Sequence, residues 1–231
     1  LEFRRVLFRS WCRASVDAMD PLAGTPWSVP STVEGFARGT PNPVLMAFAE
    51  RLRSQPQRNL LLDIGCGAGR NAVPLARAGW RVAATDLSVP MLQAARRRAE
   101  VEGVSGSMQL CLARMDALPI ASGTMDVVVA HGIWNLARSG REMRDAIREA
   151  ARCARDGAAL FVFTFSRHTL PDSAEPVAGE TFVYTQFSGE PQCFLTEDQL
   201  FAELSDAGFV PDPRSEEHTS EFQSRFGISY A

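Results

Sequence analysis

The run Leu60-Leu61-Leu62-Asp63-Ile64 is apolar except for one acid, and Gly65 stops it. It is too short for a buried helix, and it lacks the alternation of a strand with one wet face. It is therefore predicted to be a strand buried on both sides of a parallel sheet. Parallel strands need crossover connections, normally helices, and the chain downstream offers them in strict alternation. Residues 71–78 read as a helix closed by Gly79, 81–85 as a strand, and Ser88 as the cap of a helix reaching about Val101. Strands at 108–112, 125–131 and 158–165 follow, with helices at 141–154 and 196–207, the last showing Leu200, Phe201 and Leu204 on one face. The expected class is α/β: a doubly wound, mostly parallel sheet with helices on both faces.

Upstream, residues 20–43 are rich in Pro, Gly, Ser and Thr and read as a loop with a short turn or helix. Thr40-Pro41-Asn42-Pro43 then opens a helix with Val44, Leu45, Phe48 and Leu52 as its apolar residues. The segment 166–194 is a long insertion carrying Phe182, Tyr184, Phe187 and Phe194. Its alternation over 181–187 suggests an ordered flap over a substrate; a packing hairpin is the competing reading. Trp27 and Phe36 are candidates to cover a ligand from the other side.

Open sheets of this kind bind ligands beyond the carboxyl ends of their strands, so the residues just after each strand are the ones to examine. The first strand leads into Asp63-Ile64-Gly65-Cys66-Gly67-Ala68-Gly69-Arg70-Asn71. Gly65 and Gly67 let the backbone turn sharply and approach a ligand closely, and the helix beginning near Arg70 aims amide donors at the same place. Nucleotide loops of several kinds share that much. A dinucleotide fingerprint, however, wants a glycine or alanine five positions after the first glycine, where Arg70 stands. It has no need of Asp63, an acid that would attract an ammonium group and repel a pyrophosphate.

The stretch Leu62-Asp63-Ile64-Gly65-Cys66-Gly67-Ala68-Gly69-Arg70 closely resembles motif I of the class I, Rossmann-like methyltransferases. The resemblance implies S-adenosylmethionine as cofactor, its methionine part wrapped by this loop, with Asp63, Gly65, Cys66, Gly67 and Asn71 in contact. Asp86 ends the second strand, 21 positions after Gly65, where a carboxylate can accept hydrogen bonds from both ribose hydroxyls. By resemblance it is the ribose acid, with Leu87 packing on the adenine and Met91 beside it; a helix-capping aspartate is the compatible alternative. Asp116 and Ala117, after the third strand, are the expected adenine contacts, with a surface turn as the competing reading.

His131 leaves the fourth strand beside the expected methyl group. It could orient a nucleophile, act as a base, or make a backbone bond near the cofactor. Trp134 walls a substrate pocket or packs against the next helix. No Asn/Asp-Pro-Pro-aromatic run follows, which weighs against DNA and protein-amide acceptors. The implied reaction is methyl transfer to an O, N, S or C nucleophile of a small molecule. A nicotinamide-dependent oxidoreductase and a catalytically incompetent fragment are the alternatives.

Charge and composition restrict the rest. The net charge of −3 argues against a nucleic-acid surface, and the basic run Arg96-Arg97-Arg98 sits beside Glu100 and Glu102 as a solvated helix end. No lysine occurs, which excludes phosphate-loop, Schiff-base and pyridoxal phosphate chemistry. Cysteines 12, 66, 111, 153 and 193 suggest neither a zinc site nor a disulfide framework, so a reducing cytoplasm is expected. No apolar run is long enough to span a bilayer, for which roughly 20 residues are needed, and the sequence is uninformative on oligomeric state.

Leu7-Phe8-Arg9-Ser10 can be encoded by CTC TTC CGA TCT, whose reverse complement encodes Arg-Ser-Glu-Glu, as at 214–217. Residues 1–10 and 214–231 thus read as translated sequencing adapter around an environmental gene fragment. Residues 11–43 read as a lead or cap, and 44–213 as the methyltransferase domain. Family members continue after Gly208-Phe209-Val210 into a final antiparallel strand pair, so that pair is expected to be lacking and the sheet edge exposed.

Overall fold

The computed structural model describes residues 19–53, 58–211 and 225–230. Five strands lie parallel in the order β3-β2-β1-β4-β5: β1 Leu60–Ile64, β2 Arg81–Asp86, β3 Met108–Leu112, β4 Met125–His131 and β5 Ala154–Phe165. The order reverses between β1 and β4, which places the ligand crevice at the carboxyl ends of those two strands. The two-sided burial expected of β1 holds: Leu61, Leu62 and Ile64 are all buried.

Strand alternation sorts the core into two layers. Before the sheet come α1 (Pro30–Arg38) and α2 (Pro43–Arg53); α3 (Ala72–Arg77) follows β1 and α4 (Val89–Val101) follows β2. Leu61, Val127, Val129 and Phe161 pack with Leu45, Phe48 and Leu52 of α2, Val73 and Leu75 of α3, and Leu92 of α4. Their neighbours Leu62, Val128, Leu160 and Val162 face the other way. They meet Met143 and Ile147 of α5 (Gly140–Cys153) and Leu200 and Leu204 of α6 (Glu197–Asp206). The helix starts follow from side-chain oxygens: Ser88 Oγ accepts from Met91 N, Ser139 Oγ from Glu142 N, and Thr196 with Gln199 forms a reciprocal capping box.

Two expectations need correction. The antiparallel pairing judged missing is present: β6 (Val183–Tyr184) pairs antiparallel with β7 (Gln192–Cys193), and β8 (Arg225–Tyr230) runs antiparallel along β5 from Leu160 to Phe165. The physical reason for β6 and β7 is burial. Phe182, Val183, Tyr184, Cys193 and Phe194 all enter the core beneath α5 and α6, so a hairpin fixes what was read as a flap. With β8 beside it, the outer edge of β5 is paired rather than open. The cysteine reading also changes: Cys66, Cys153 and Cys193 are buried free thiols, but Cys111 is disulfide-bonded. The cysteines therefore no longer speak for a reducing compartment. Among the described residues no helix is long and apolar enough to cross a membrane. Residues 1–10 and the first part of the segment from 214 onward, read as adapter translation, lie outside the described residues.

Asp126, almost fully buried at the start of β4, ties three segments together. Its Oδ2 accepts from Asn59 N and Leu60 N, both at 2.8 Å, while Arg155 Nε lies 2.7 Å from Oδ1. Truncation leaves two backbone donors and a guanidinium without their acceptor, a loss of about 2–4 kcal/mol. Asp126→Ala should thus lower the Tm by roughly 5–10 °C in calorimetry. A change below about 2 °C would mean that water replaces the carboxylate.

Candidate functional site

Strands β1, β2 and β4 deliver polar groups to one place. Asp63 stands next to last in β1, with its side chain toward α2 and α3, and is 1% exposed. Its Oδ2 is buried with no hydrogen-bond partner. Such an oxygen is costly unless a donor arrives from outside the protein. Burial, then the neighbouring Asp86 charge, pushes the Asp63 carboxyl up to about 7, against the partial pull of the Arg70 guanidinium.

The loop after β1 is shaped by glycines in the left-handed region. Gly65 has φ +70°, and a Cβ there would lie 2.7 Å from Ile133 Cδ1 and Cγ1, so the loops after β1 and β4 touch where the strand order reverses. At Gly67, with φ +53°, a Cβ would stand 3.4 Å from Phe36 and 4.0 Å from the Met91 sulfur, which leaves a shallow cradle open. Asp86, at the end of β2, accepts from Gly67 N and Ser88 N, each at 2.8 Å. Desolvation raises its carboxyl above the ordinary value, opposed by the backbone donors of Ser88, Gly67 and Leu87. Capping and ribose binding are thus compatible, because each carboxylate oxygen has a second lone pair.

Other predicted residues fall into two groups. Cys66 is buried, its thiol toward Gly67 O and pushed well up by burial, and Met91 is buried against Val33, Ala68 and Ala94. Both shape the loop from behind. Leu87, Asp116 and His131 are partly exposed and Ala117 is exposed. Asp116 is gripped by Arg114 at 2.8 and 2.7 Å, whose hydrogen bonds hold its carboxyl below the usual range. The loop bearing it is latched to α5 by Arg152, which donates to Leu118 O, Ile120 O and Ser122 Oγ, while Glu149 Oε1 accepts from Leu118 N. Trp134 is 1% exposed in the core, so it packs rather than walls a pocket.

His131 lies at the centre of a network that the sequence did not disclose. Its ring stacks on Phe163 at 4.3 Å and 7°. Arg70 Nη2 is 3.2 Å from Nδ1, and Asn42 Nδ2 is 3.0 Å from Nε2. Asn42 in turn caps α2 through Oδ1, which accepts from Val44 N and Leu45 N, and its own N donates to Asn71 Oδ1 at 3.0 Å. The amino-terminal segment thereby closes onto the loop. Phe36 abuts Gly67, Gly39 abuts the Arg70 stem, Ser88 Oγ donates to Trp27 O and Val89 N donates to Asp20 Oδ1. In the sequence Thr40-Pro41-Asn42-Pro43 reads only as the opening of α2.

Residues 62–162 match the family model described as a methyltransferase domain. The chain is 33% identical over 135 residues to the ubiquinone biosynthesis O-methyltransferase of Methylocella silvestris, covering 58% of this chain and 50% of that one. It is 28% identical over 116 residues to the tRNA 5-carboxymethoxyuridine methyltransferase of Escherichia coli, covering 50% and 43%. Among solved structures, the CcbJ methyltransferase from Streptomyces caelestis superposes with a TM-score of 0.66 at 18% identity, covering 82% of this chain and 90% of that one. The fold is therefore that of the methyltransferases, and residues 62–162 are the part of the chain that the family model matches. The chain spans about half the length of these two curated relatives.

Proposed function

We propose that this chain binds S-adenosylmethionine and transfers its methyl group to an O, N, S or C nucleophile of a small molecule. The observation that carries the reading is the buried, unpartnered Asp63 Oδ2 at the strand reversal. It suits an ammonium group, and the nearby Arg70 guanidinium suits the carboxylate of the same amino-acid end. Asp86 would take the ribose hydroxyls, Leu87 the adenine face, and Gly65 and Gly67 would admit the chain between them. The bound cofactor supplies an activated methyl on a sulfonium. The protein's own task is then to align the acceptor and exclude water.

Among acceptors, the −3 net charge favours a small molecule; the similarity to a tRNA methyltransferase supports an RNA acceptor as the second reading. Calorimetric titration with S-adenosylhomocysteine and with NADH tests the cofactor. Micromolar binding of the first and none of the second is expected, with Asp86→Ala weakening it about tenfold or more. Binding of NADH alone would assign the site to an oxidoreductase. Radiolabel transfer to a quinol precursor or to bulk tRNA separates the two acceptor classes.

A further inference from the structure

The cofactor reading accounts for one side of the crevice only. Its acids, Asp63, Asp86 and Asp116, stand at the carboxyl ends of β1, β2 and β3. In the order β3-β2-β1-β4-β5 this leaves the ends of β4 and β5 for the acceptor. Those ends carry rings. His131 and Phe163 are partners in register and stack at 4.3 Å, and Phe165 closes β5. The Phe187 ring stands 5.6 Å from Phe165 and 5.5 Å from the buried Phe194. Phe187 belongs to the loop joining β6 to β7. The strands of that hairpin are buried, yet Phe187 is 50% exposed, and among the described side chains it is the one exposed aromatic. A lone apolar residue on a surface needs no explanation, but this one continues a row of half-buried rings.

We propose that Phe165 and Phe187 hold the methyl acceptor, and that the acceptor is a small molecule whose nucleophilic atom lies on or in an aromatic ring. This rests on the cofactor reading above. The hairpin is anchored at both strand ends, which fixes where Phe187 stands. Cys193 Sγ donates to Ala137 O at 3.4 Å, in the turn region after β4, and Arg167 N donates to Leu195 O at 2.8 Å, after β5. Phe165 and Phe187 are tilted by 34°. A planar acceptor ring can join such a pair, face against edge, and being rigid it keeps its reacting atom in one place, as methyl transfer requires. The adenine is read at Leu87, just after β2, three strand spacings or about 14 Å from β5, so these rings are not needed for it. Residues 185–191 contain Glu190 and no basic residue, which favours a free small molecule over a nucleic-acid chain.

Calorimetric titration of the full chain, saturated with S-adenosylhomocysteine, tests this with 2-naphthol and decahydro-2-naphthol as probes. The two alcohols share a carbon skeleton and differ in aromaticity. The aromatic alcohol should bind about tenfold or more tightly than the saturated one. Phe187→Leu keeps an apolar side chain and removes the ring. It should raise the Kd of 2-naphthol about five- to twentyfold and that of the saturated alcohol by no more than about twofold. Because Phe187 is exposed and far from the acids, the variant should keep its Tm within about 2 °C and its Kd for S-adenosylhomocysteine within about twofold. Phe165→Leu should weaken 2-naphthol in the same sense. A 2-naphthol that fails to bind, binds no better than the saturated alcohol, or is unmoved by Phe187→Leu overturns the aromatic subsite and leaves the cofactor reading standing. Failure of S-adenosylhomocysteine to bind overturns both. Displacement of 2-naphthol by bulk tRNA would assign the rings to a nucleobase and overturn the small-molecule acceptor.

Discussion

Affinity for S-adenosylmethionine should fall about tenfold for each pH unit below 7, a loss near a hundredfold between pH 7 and pH 5, and Asp63→Asn should abolish that slope. Asp63 is buried beside Asp86, and its carboxyl in the free protein is pushed up to about 7. An ammonium ligand needs the ionised form. Above pH 7 the free site already holds the charge; below it, a proton must leave before the ligand can pair. Isothermal titration from pH 5 to pH 8 measures the slope, and a flat profile would sink the assignment of the ammonium to Asp63. At pH 8, Asp63→Asn should weaken binding by about a hundredfold, equivalent to ~3 kcal/mol, with a much smaller deficit at pH 5.

The same residue makes the free protein less stable as pH rises. Its folded value lies above the ordinary 3.8, so between about pH 4 and pH 7 the native state holds a proton that the unfolded state releases. Stability is greatest at the acid end of that window, declines across it, and stays low above it, by as much as ~4 kcal/mol. Asp86 adds a decline in the same direction, but subtracting the Asp63→Asn curve isolates the contribution of Asp63. The Tm of the variant should therefore exceed that of the wild type most clearly at pH 8, in the absence of ligand. A gap that widens toward acid would show the reverse linkage and rule out a raised Asp63.

Gly65→Ala should be the most disruptive single-methyl change in the loop. The new Cβ would fall 2.7 Å from two Ile133 atoms and 2.8 Å from a third, its own Cβ, which cannot swing away like the tip of a flexible chain. The left-handed φ of +70° adds ~1–2 kcal/mol, and overpacking ~1–3 kcal/mol more. A Tm drop near 10 °C with loss of detectable S-adenosylhomocysteine binding is expected. Ile133→Ala in the same chain should recover the steric share and leave the backbone share, so the double variant should be more stable than the sum of the singles predicts. Wild-type behaviour of Gly65→Ala would contradict the close contact between the two loops.

Much of this was legible because it is local. The β1 run, the glycines after it and the Ser88 and Thr196 caps are signals within a few residues, and β3 and β4 fall where the pattern placed them. α1 was nearly missed because Pro30 and Ser31 sit in a stretch that reads as loop, although Val33, Phe36 and Ala37 recur at helical spacing. What could not be read is contact between distant segments. Arg70 and His131 are 61 residues apart and Asn42 and His131 are 89 apart; no spacing rule connects such residues. The alternation over 181–187 allowed a flap or a packing hairpin, and what decides for the hairpin of β6 and β7 is again distant contact, its burial under two helices.

The grip of Arg152 on Leu118, Ile120 and Ser122 has a dynamic corollary. Connections between strands and helices ordinarily open by themselves, exposing their amides to solvent long before the core gives way. Here the loop that carries Asp116 and Ala117 has its carbonyls and the Leu118 amide bound to a single turn of α5. It therefore has no independent opening event: it is an outgrowth of the helix, and its deuterium uptake should keep pace with α5. If Asp116 and Ala117 contact the adenine as proposed, that side of the site would then be as durable as the core itself.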